Sequence, residues 1–215
     1  MKTGLTLEQL AAEITRQQSA KEDYVVNTGN LRLESYGPDL TLRVLDSDGA
    51  DRIEPLEIGD IAHRQIGTHL SIPAKYYERM RSEDPGLLAH NVNTWLERTP
   101  AQRMIRVLDG KARAYLSNRY LRMDNYSIAS AVLPILAEIP DVRIESCQIT
   151  DSRMYIKAVN PRLQEDVTPG DTVQAGVVIS NSEVGLGSVN IQPLIYRLVC
   201  SNGMVVNDAA TKRNH

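Results

Sequence analysis

Two residues near the middle of the chain, Asp109-Gly110, constrain its fold more than any other short stretch. They separate two runs in which apolar and polar residues alternate, MIRVL (104–108) and KARAYLS (111–117). An Asp-Gly pair favours the tight type I′ turn, whose twist matches that of two antiparallel strands. The stretch therefore predicts a β-hairpin with a two-residue loop.

The alternation in the two strands assigns their side chains to opposite faces. The face predicted to pack on a core carries Ile105, Val107, Ala112, Ala114 and Leu116. The other face carries Arg106, Lys111, Arg113 and Tyr115. In this register Arg106 lies directly opposite Arg113, and like charges across a sheet destabilise it by up to about 1 kcal/mol. We therefore expect a carboxylate from elsewhere in the fold, or an anionic ligand, to offset the pair.

Positive charge is concentrated around this hairpin although the whole chain is mildly acidic. Residues 98–122 carry seven basic residues against one acidic residue, whereas the 215-residue chain has a formal net charge of -3. Such an asymmetry indicates a negatively charged partner. DNA phosphates are one candidate, because the planar arginine fork gives them two hydrogen bonds at once. The acidic remainder of a second copy is another.

The predicted DNA-binding residues belong to the hairpin and to the segment that follows it. Arg103, Arg106, Lys111, Arg113, Arg119 and Arg122 are predicted to contact phosphates, with Tyr115 and Tyr120 stacking on bases. Tyrosine is the main stacking side chain because the chain has nine Tyr, one Trp and no Phe. The alternative is a solvated strand face whose arginines pair with local acids.

The rest of the chain predicts an α+β fold, a mainly antiparallel twisted sheet built from hairpins with helices packed on one side. Residues 1–54 indicate a helix followed by a meander of strands, 55–100 a helical segment, and 101–215 a hairpin-rich sheet with one helix. Asn202-Gly203 predicts a further tight turn. Because no linker is evident, a single domain is expected over 1–215.

A polar loop lies between two apolar alternating runs in ISNSEVGLGSVNI. Its Asn and Gly residues favour a hairpin connection. Asn181, Ser182 and Glu183, with Arg197 in the next strand, form a loop that is expected to line the site. Glu183 is expected to pair with Arg197 or with a hairpin arginine. No GxGxxG or P-loop pattern is present, so no nucleotide cofactor is predicted.

Metal, disulfide and membrane chemistry are not expected. Cys147 and Cys200 stand alone in unrelated segments, which favours reduced structural thiols. His63 and His69 are six residues apart on a predicted helix and face different sides, so no metal site is predicted. The start of the chain lacks an apolar signal core and no run has the length of a membrane span, which predicts a cytoplasmic protein.

Three segments carry a family resemblance: HRQIGTHLSIPAKYYERM (63–80), YLSNRYLRMDNYSIASAVLPIL (115–136) and VVISNSEVGLGSVNIQPLIYRLVCSNGMV (177–205). The matching positions are Gln65, Ile72-Pro73, Tyr76, Ser117, Arg119-Tyr120, Asn181 to Gly185, and Arg197 to Gly203. From about residue 55 onward the chain resembles the phage- and plasmid-borne proteins known as domain of unknown function 932. The resemblance implies a mobile-element protein of the bacterial cytosol and brings no catalytic residues. It also implies a C-terminal region beyond TKRNH.

Fold class and habitat together invite an analogy with single-strand annealing proteins of the Rad52 and phage recombinase kind. The expected function is DNA binding, of single strands, for annealing in recombination or replication by a homo-oligomer such as a ring. The alternative is a homo-oligomeric assembly or host-interaction module whose basic hairpin docks on an acidic protein surface. An enzyme built on Glu183 with Arg197 or Asn181 is a third, weaker hypothesis, because no nucleophile–base pair stands near Glu183.

Overall fold

The structure, a computed structural model, describes residues 4–168 and 171–199. In chain order the helices are α1 (Leu7–Ala20), α2 (Asp60–His69), α3 (Ala74–Glu83), α4 (Pro85–Arg98) and α5 (Asn125–Glu138). The strands are β1 (Lys21–Asn27), β2 (Leu31–Tyr36), β3 (Asp39–Val44), β4 (Leu56–Ile58), β5 (Gln102–Leu108), β6 (Lys111–Ser117), β7 (Arg143–Ile149), β8 (Met154–Thr168), β9 (Asp171–Asn181) and β10 (Asn190–Val199). Every strand pairing is antiparallel except that of β4 with β6. The predicted α+β class is confirmed.

The chain forms two compact units, whereas the sequence predicts one domain. The inserted unit is Gln17–Leu121, and the flanking unit comprises Met1–Arg16 and Arg122–His215. The first boundary falls inside α1 and the second shortly after β6. Neither boundary has the Pro-, Gly- or Ser-rich composition by which linkers are recognised, so the sequence pattern gave no sign of them.

The inserted unit is built on a six-stranded sheet in the order β1-β5-β6-β4-β3-β2. Helices α2, α3 and α4 supply the apolar residues that pack with one face of this sheet. α4 shows why: Leu88, Val92 and Leu96 recur every four residues and are at most 1% exposed. They pack in one cluster with strand residues such as Leu42 and Ile105.

A buried polar pair joins α2 to α3. His63 Nδ1 lies 2.9 Å from the Tyr77 hydroxyl, and both residues are 2% exposed. Burial, with a smaller contribution from the nearby Arg81 charge, lowers the pKa of His63 to about 4. Gly67 permits this approach, because a Cβ there would lie 2.9 Å from a ring carbon of Tyr77. The helices above the sheet are therefore closely fitted to each other.

The flanking unit contains a four-stranded antiparallel sheet in the order β10-β9-β8-β7. Residues of α1 and α5, including Leu10 and Ile128, pack on one face of it. On the other face the Tyr196 hydroxyl of β10 donates to Glu145 Oε1 of β7 over 2.6 Å. Strands in a sheet lie about 4.8 Å apart, so contact between the two outer strands means that this sheet is strongly curled.

The structure bears on what the sequence predicts about membrane spans, metal sites and cysteines. Within 4–168 and 171–199, no helix is both long and apolar enough to cross a bilayer. The same ranges contain no cluster of three or more His, Cys, Asp or Glu side chains suited to a metal. Cys147 is a buried free thiol in β7. Cys200 and the predicted turn at Asn202-Gly203 lie outside the described residues.

Candidate nucleic-acid interface

The predicted hairpin forms, but its register changes after the second pair. Asp109 and Gly110 both adopt the left-handed conformation of a type I′ turn, with φ of 53° and 73°. The two pairs nearest the turn are as predicted. A β-bulge then leaves Arg113 as an extra residue of β6, so Arg106 lies opposite Ala114. The predicted facing pair of Arg106 and Arg113 is therefore wrong.

The bulge also changes which face the end of β6 presents. Tyr115 lies opposite Ile105, packs in the same core and is 3% exposed. Its predicted place on the polar face is wrong, because one inserted residue reverses the alternation beyond it. On the opposite face Met104, Ala114 and Leu116 are also buried. Both faces of the hairpin are thus closed to a ligand along most of its length.

Two cations of the hairpin pair with carboxylates of neighbouring strands. Arg106 lies directly opposite Asp23 of β1 and makes two hydrogen bonds to it, of 2.8 and 3.2 Å. Its side chain is 0% exposed. Lys111 lies opposite Glu57 of β4, with Nζ 2.5 Å from Oε1. A carboxylate from elsewhere in the fold therefore neutralises Arg106, which is one of the two outcomes that the sequence left open.

A polar network surrounds Tyr115 at the end of the hairpin. β4 pairs only with residues 111–112 of β6, and beyond that point Gln65 Oε1 accepts a hydrogen bond from the Tyr115 N–H over 2.7 Å. His69 Nδ1 lies 2.8 Å from the Tyr115 hydroxyl, and the Arg103 guanidinium lies 5.6 Å from the ring centroid. Burial, then the Arg103 charge, lowers the pKa of His69.

Three other cations of the basic stretch, Arg98, Arg103 and Arg119, lie at one end of the six-stranded sheet. Here α4 ends, β5 begins and β6 ends. Thr28 connects the first two, because its Oγ1 donates to the Leu96 carbonyl over 3.1 Å and accepts from the Ala101 N–H over 3.0 Å. Arg103 at the start of β5 pairs with Ser117 at the end of β6. We call the residues at this end the basic edge: Trp95, Arg98, Arg103, Arg119 and Tyr120.

The arginines of the basic edge differ from those of the hairpin interior. Arg98 and Arg119 are exposed and Arg103 is half-buried. None of the three has an ion pair in the parts of the chain that the structure describes. The acid next to Arg98 in sequence, Glu97, is paired with Arg32 over 3.1 Å. The positive charges of Arg98 and Arg119 are therefore open to solvent.

The structure brings together only part of the predicted set. Arg119 and Tyr120 form a turn after β6 in which the Tyr120 N–H donates to the Ser117 carbonyl over 3.0 Å, and Tyr120 is half-buried. Arg113 is half-buried at the bulge, away from this end. Arg122 is exposed and belongs to the flanking unit.

Two residues of the basic edge, Trp95 and Arg98, are absent from the predicted set. The Arg98 guanidinium lies 5.4 Å from the Trp95 ring centroid. Residues three apart on a helix share a face, so the spacing Trp-x-x-Arg at the end of the helical segment was a signal for this contact.

The polar loop after β9 supports the start of α5. The Asn181 Nδ2 donates to Asn125 Oδ1 over 2.9 Å and to the Met123 carbonyl over 2.8 Å. The Asn125 N–H, in the first turn of α5, donates to Glu183 Oε1 over 2.6 Å. Glu183 is 6% exposed. A carboxylate at this position stabilises the positive end of the helix dipole, which gives NSEVG a structural role.

The other two residues predicted around this loop have contacts inside the flanking unit. The Ser182 Oγ accepts from the Leu186 N–H over 3.1 Å. Arg197 pairs with Asp171 on the adjacent strand over 3.1 Å.

Comparison with known proteins supports the resemblance over the C-terminal part of the chain. The family model described as "Domain of unknown function (DUF932)" matches residues 114–215. Two of the three resembling segments, 115–136 and 177–205, lie inside this range, and 63–80 lies outside it. No curated protein and no solved structure matches the chain. Residues 114–215, just under half of the chain, are therefore similar to the DUF932 family.

Proposed function

We propose that the protein binds DNA, preferentially single strands, through the basic edge. The observation that carries the proposal is the convergence of Arg98, Arg103 and Arg119 at one end of the sheet, without ion pairs among the described residues. Solvent-exposed guanidinium groups beside aromatic rings are typical of surfaces that follow a nucleic-acid backbone and stack on its bases. The proposed surface does not include Arg106 and Lys111, which the sequence predicted to contact phosphates, because they pair with Asp23 and Glu57.

An overall acidic chain is compatible with this proposal because phosphate binding depends on local charge. The acids nearest the hairpin interior are already paired, as Asp23 is with Arg106 and Glu57 is with Lys111. A strand held at the basic edge would experience the nearby arginines more strongly than distant acids, since salt screens charges beyond about 8 Å in physiological conditions.

The test is a titration of a labelled single-stranded oligonucleotide, followed by fluorescence anisotropy at several salt concentrations. Each phosphate contact contributes about -0.7 to the slope of log affinity against log salt for single strands. Three arginine contacts therefore predict a slope of about -2, and Arg98→Glu with Arg119→Glu should abolish most of it.

Arg79→Glu is the matched control. Arg79 is an exposed arginine of α3 in the same unit, paired with Glu83 rather than placed at the basic edge. The control should bind as the unmodified chain does. Absence of binding at low salt, or equal affinity in the double variant and the unmodified chain, would refute the proposal.

Strand annealing, homo-oligomerisation and a cytoplasmic, mobile-element setting extend the same proposal. Annealing is measured by mixing labelled complementary strands with the protein, and assembly by light scattering with and without DNA. A salt-sensitive oligomer that does not bind DNA would instead support the assembly-module hypothesis.

A further inference from the structure

Trp95 lies at the protein surface, where its indole contributes little to the stability of the fold through burial. It is the one tryptophan of the sequence and is 42% exposed. Its neighbours on α4, Val92 and Leu96, are 0% and 1% exposed and supply the apolar stripe that packs on the sheet. The core therefore does not require the full indole at position 95, and a large flat apolar surface stays in water.

Arg98 gives this surface a defined electrostatic environment. Its guanidinium lies 5.4 Å from the indole centroid, a distance at which a cation is attracted to the ring face. The contact joins an aromatic plane to a cation within one helix turn, and the proposed function places a phosphate at that cation. Because the last turn of α4 lies beside the start of β5, through the Thr28 contacts, the pair lies at the same end of the sheet as Arg103.

We propose that Trp95, oriented by Arg98, is a base-stacking platform for an unpaired nucleotide of a strand whose phosphates lie on the basic edge. The inference rests on the proposed DNA binding and specifies its ligand as unpaired bases. Every base has a flat face that can stack on an indole, whereas base pairs inside a duplex stack on one another. Stacking at Trp95 thus selects single strands with little regard to their sequence.

Intrinsic fluorescence tests this directly, because all tryptophan emission of the chain comes from Trp95. The full chain is titrated with an oligothymidine and, separately, with an abasic oligomer of equal length, while anisotropy of a label on each oligomer records binding. We expect strong quenching with oligothymidine and no quenching with the bound abasic oligomer. Oligothymidine that binds without changing the emission would overturn the inference.

A set of variants separates stacking from packing. Trp95→Leu keeps an apolar side chain and should weaken oligothymidine binding about 5- to 100-fold, whereas Trp95→Phe should retain most of the affinity. Neither should alter affinity for the abasic oligomer, which also shows that the variant is folded. Tyr36→Leu is the control, because Tyr36 is an exposed aromatic residue at the end of β2.

The outcomes distinguish this inference from the proposed function. Arg119→Glu should weaken binding of both oligomers. If Arg119→Glu does so and Trp95→Leu has no effect on oligothymidine, the platform is wrong and the DNA-binding proposal stands. If neither oligomer binds the unmodified chain at low salt, the proposed function fails and the platform with it.

Discussion

The interior of the β5–β6 hairpin and the arginines of the basic edge come from one basic stretch of sequence. They differ in whether their cations are paired with carboxylates. In the interior, Arg106 is 0% exposed and held by Asp23 of the adjacent strand. At the edge, Arg98 and Arg119 are exposed, with no ion pair in the described ranges. A cation inside a sheet has strand neighbours on both sides that can supply an acid. Arg98, at the end of α4, and Arg119, beyond the last strand pair, have no such strand neighbours and stay available to a partner.

The comparison assigns opposite roles to arginines that look alike in sequence. A buried guanidinium needs its carboxylate, because an unpaired charge away from water is costly. An exposed guanidinium contributes little to stability and keeps its hydrogen-bonding capacity for a ligand. The predictions below test this difference, beginning with the largest expected effect.

Asp23→Asn should be strongly destabilising. The change leaves the buried Arg106 guanidinium without its carboxylate, and breaking one partner of a buried ion pair costs about 3–5 kcal/mol. Urea unfolding measures the loss. Replacing both residues, as Asp23→Leu with Arg106→Met, should recover most of the stability and leave DNA affinity unchanged. The difference between interior and edge would be refuted if Asp23→Asn unfolded at the same urea concentration as the unmodified chain. It would also be refuted if the folded double variant bound DNA more weakly.

His63 should make the inserted unit sensitive to acid. Its pKa is lowered to about 4 in the folded chain, against about 6.5 when unfolded. The unfolded state therefore binds the proton more readily than the folded state does. The free energy of unfolding keeps its full value above pH 6.5 and decreases as the pH falls towards 4. The loss is on the order of 3 kcal/mol. His63→Gln should remove this part of the pH dependence of the urea midpoint, and an unchanged profile would contradict the prediction.

Glu183→Ala should destabilise the flanking unit by about 1–3 kcal/mol, because the Asn125 N–H loses a buried charged acceptor. Glu183→Gln keeps an acceptor and removes the charge, so it should cost less. Thermal unfolding followed by circular dichroism measures both. DNA affinity should not change in either variant. If the Gln variant loses affinity while remaining folded, Glu183 belongs to the ligand site after all.

Arg119→Ala should have the smallest effect on stability, within about 0.5 kcal/mol, as is usual for exposed positions. Its effect should appear in binding, as a salt slope reduced by about 0.7. Urea unfolding and anisotropy titrations on the same preparation give both quantities. If Arg119→Ala lost as much stability as is expected for Asp23→Asn, the arginine at the edge would be needed for folding in the same way as Arg106.

The fold could be predicted from local signals more fully than the site. Asp109-Gly110 predicted the turn and its nearest pairs, and the pattern of residues 55–100 predicted a helical segment where α2, α3 and α4 lie. The partner of Arg106 could not be predicted, because Asp23 lies 83 residues away and the pairing of β1 with β5 depends on the whole sheet. No residue type marks Arg113 as a bulge, so the face of Tyr115 could not be predicted either.

The bulge at Arg113 has a consequence for how related sequences are aligned. Counting every second residue from the turn gives the right orientation up to position 112 and the reverse from 114 onward. A relative that lacks this single residue would turn its equivalent of Tyr115 towards the other side, even if every letter around it were identical. Between the turn and Tyr115, conservation of length would therefore indicate a shared site more reliably than conservation of residue type.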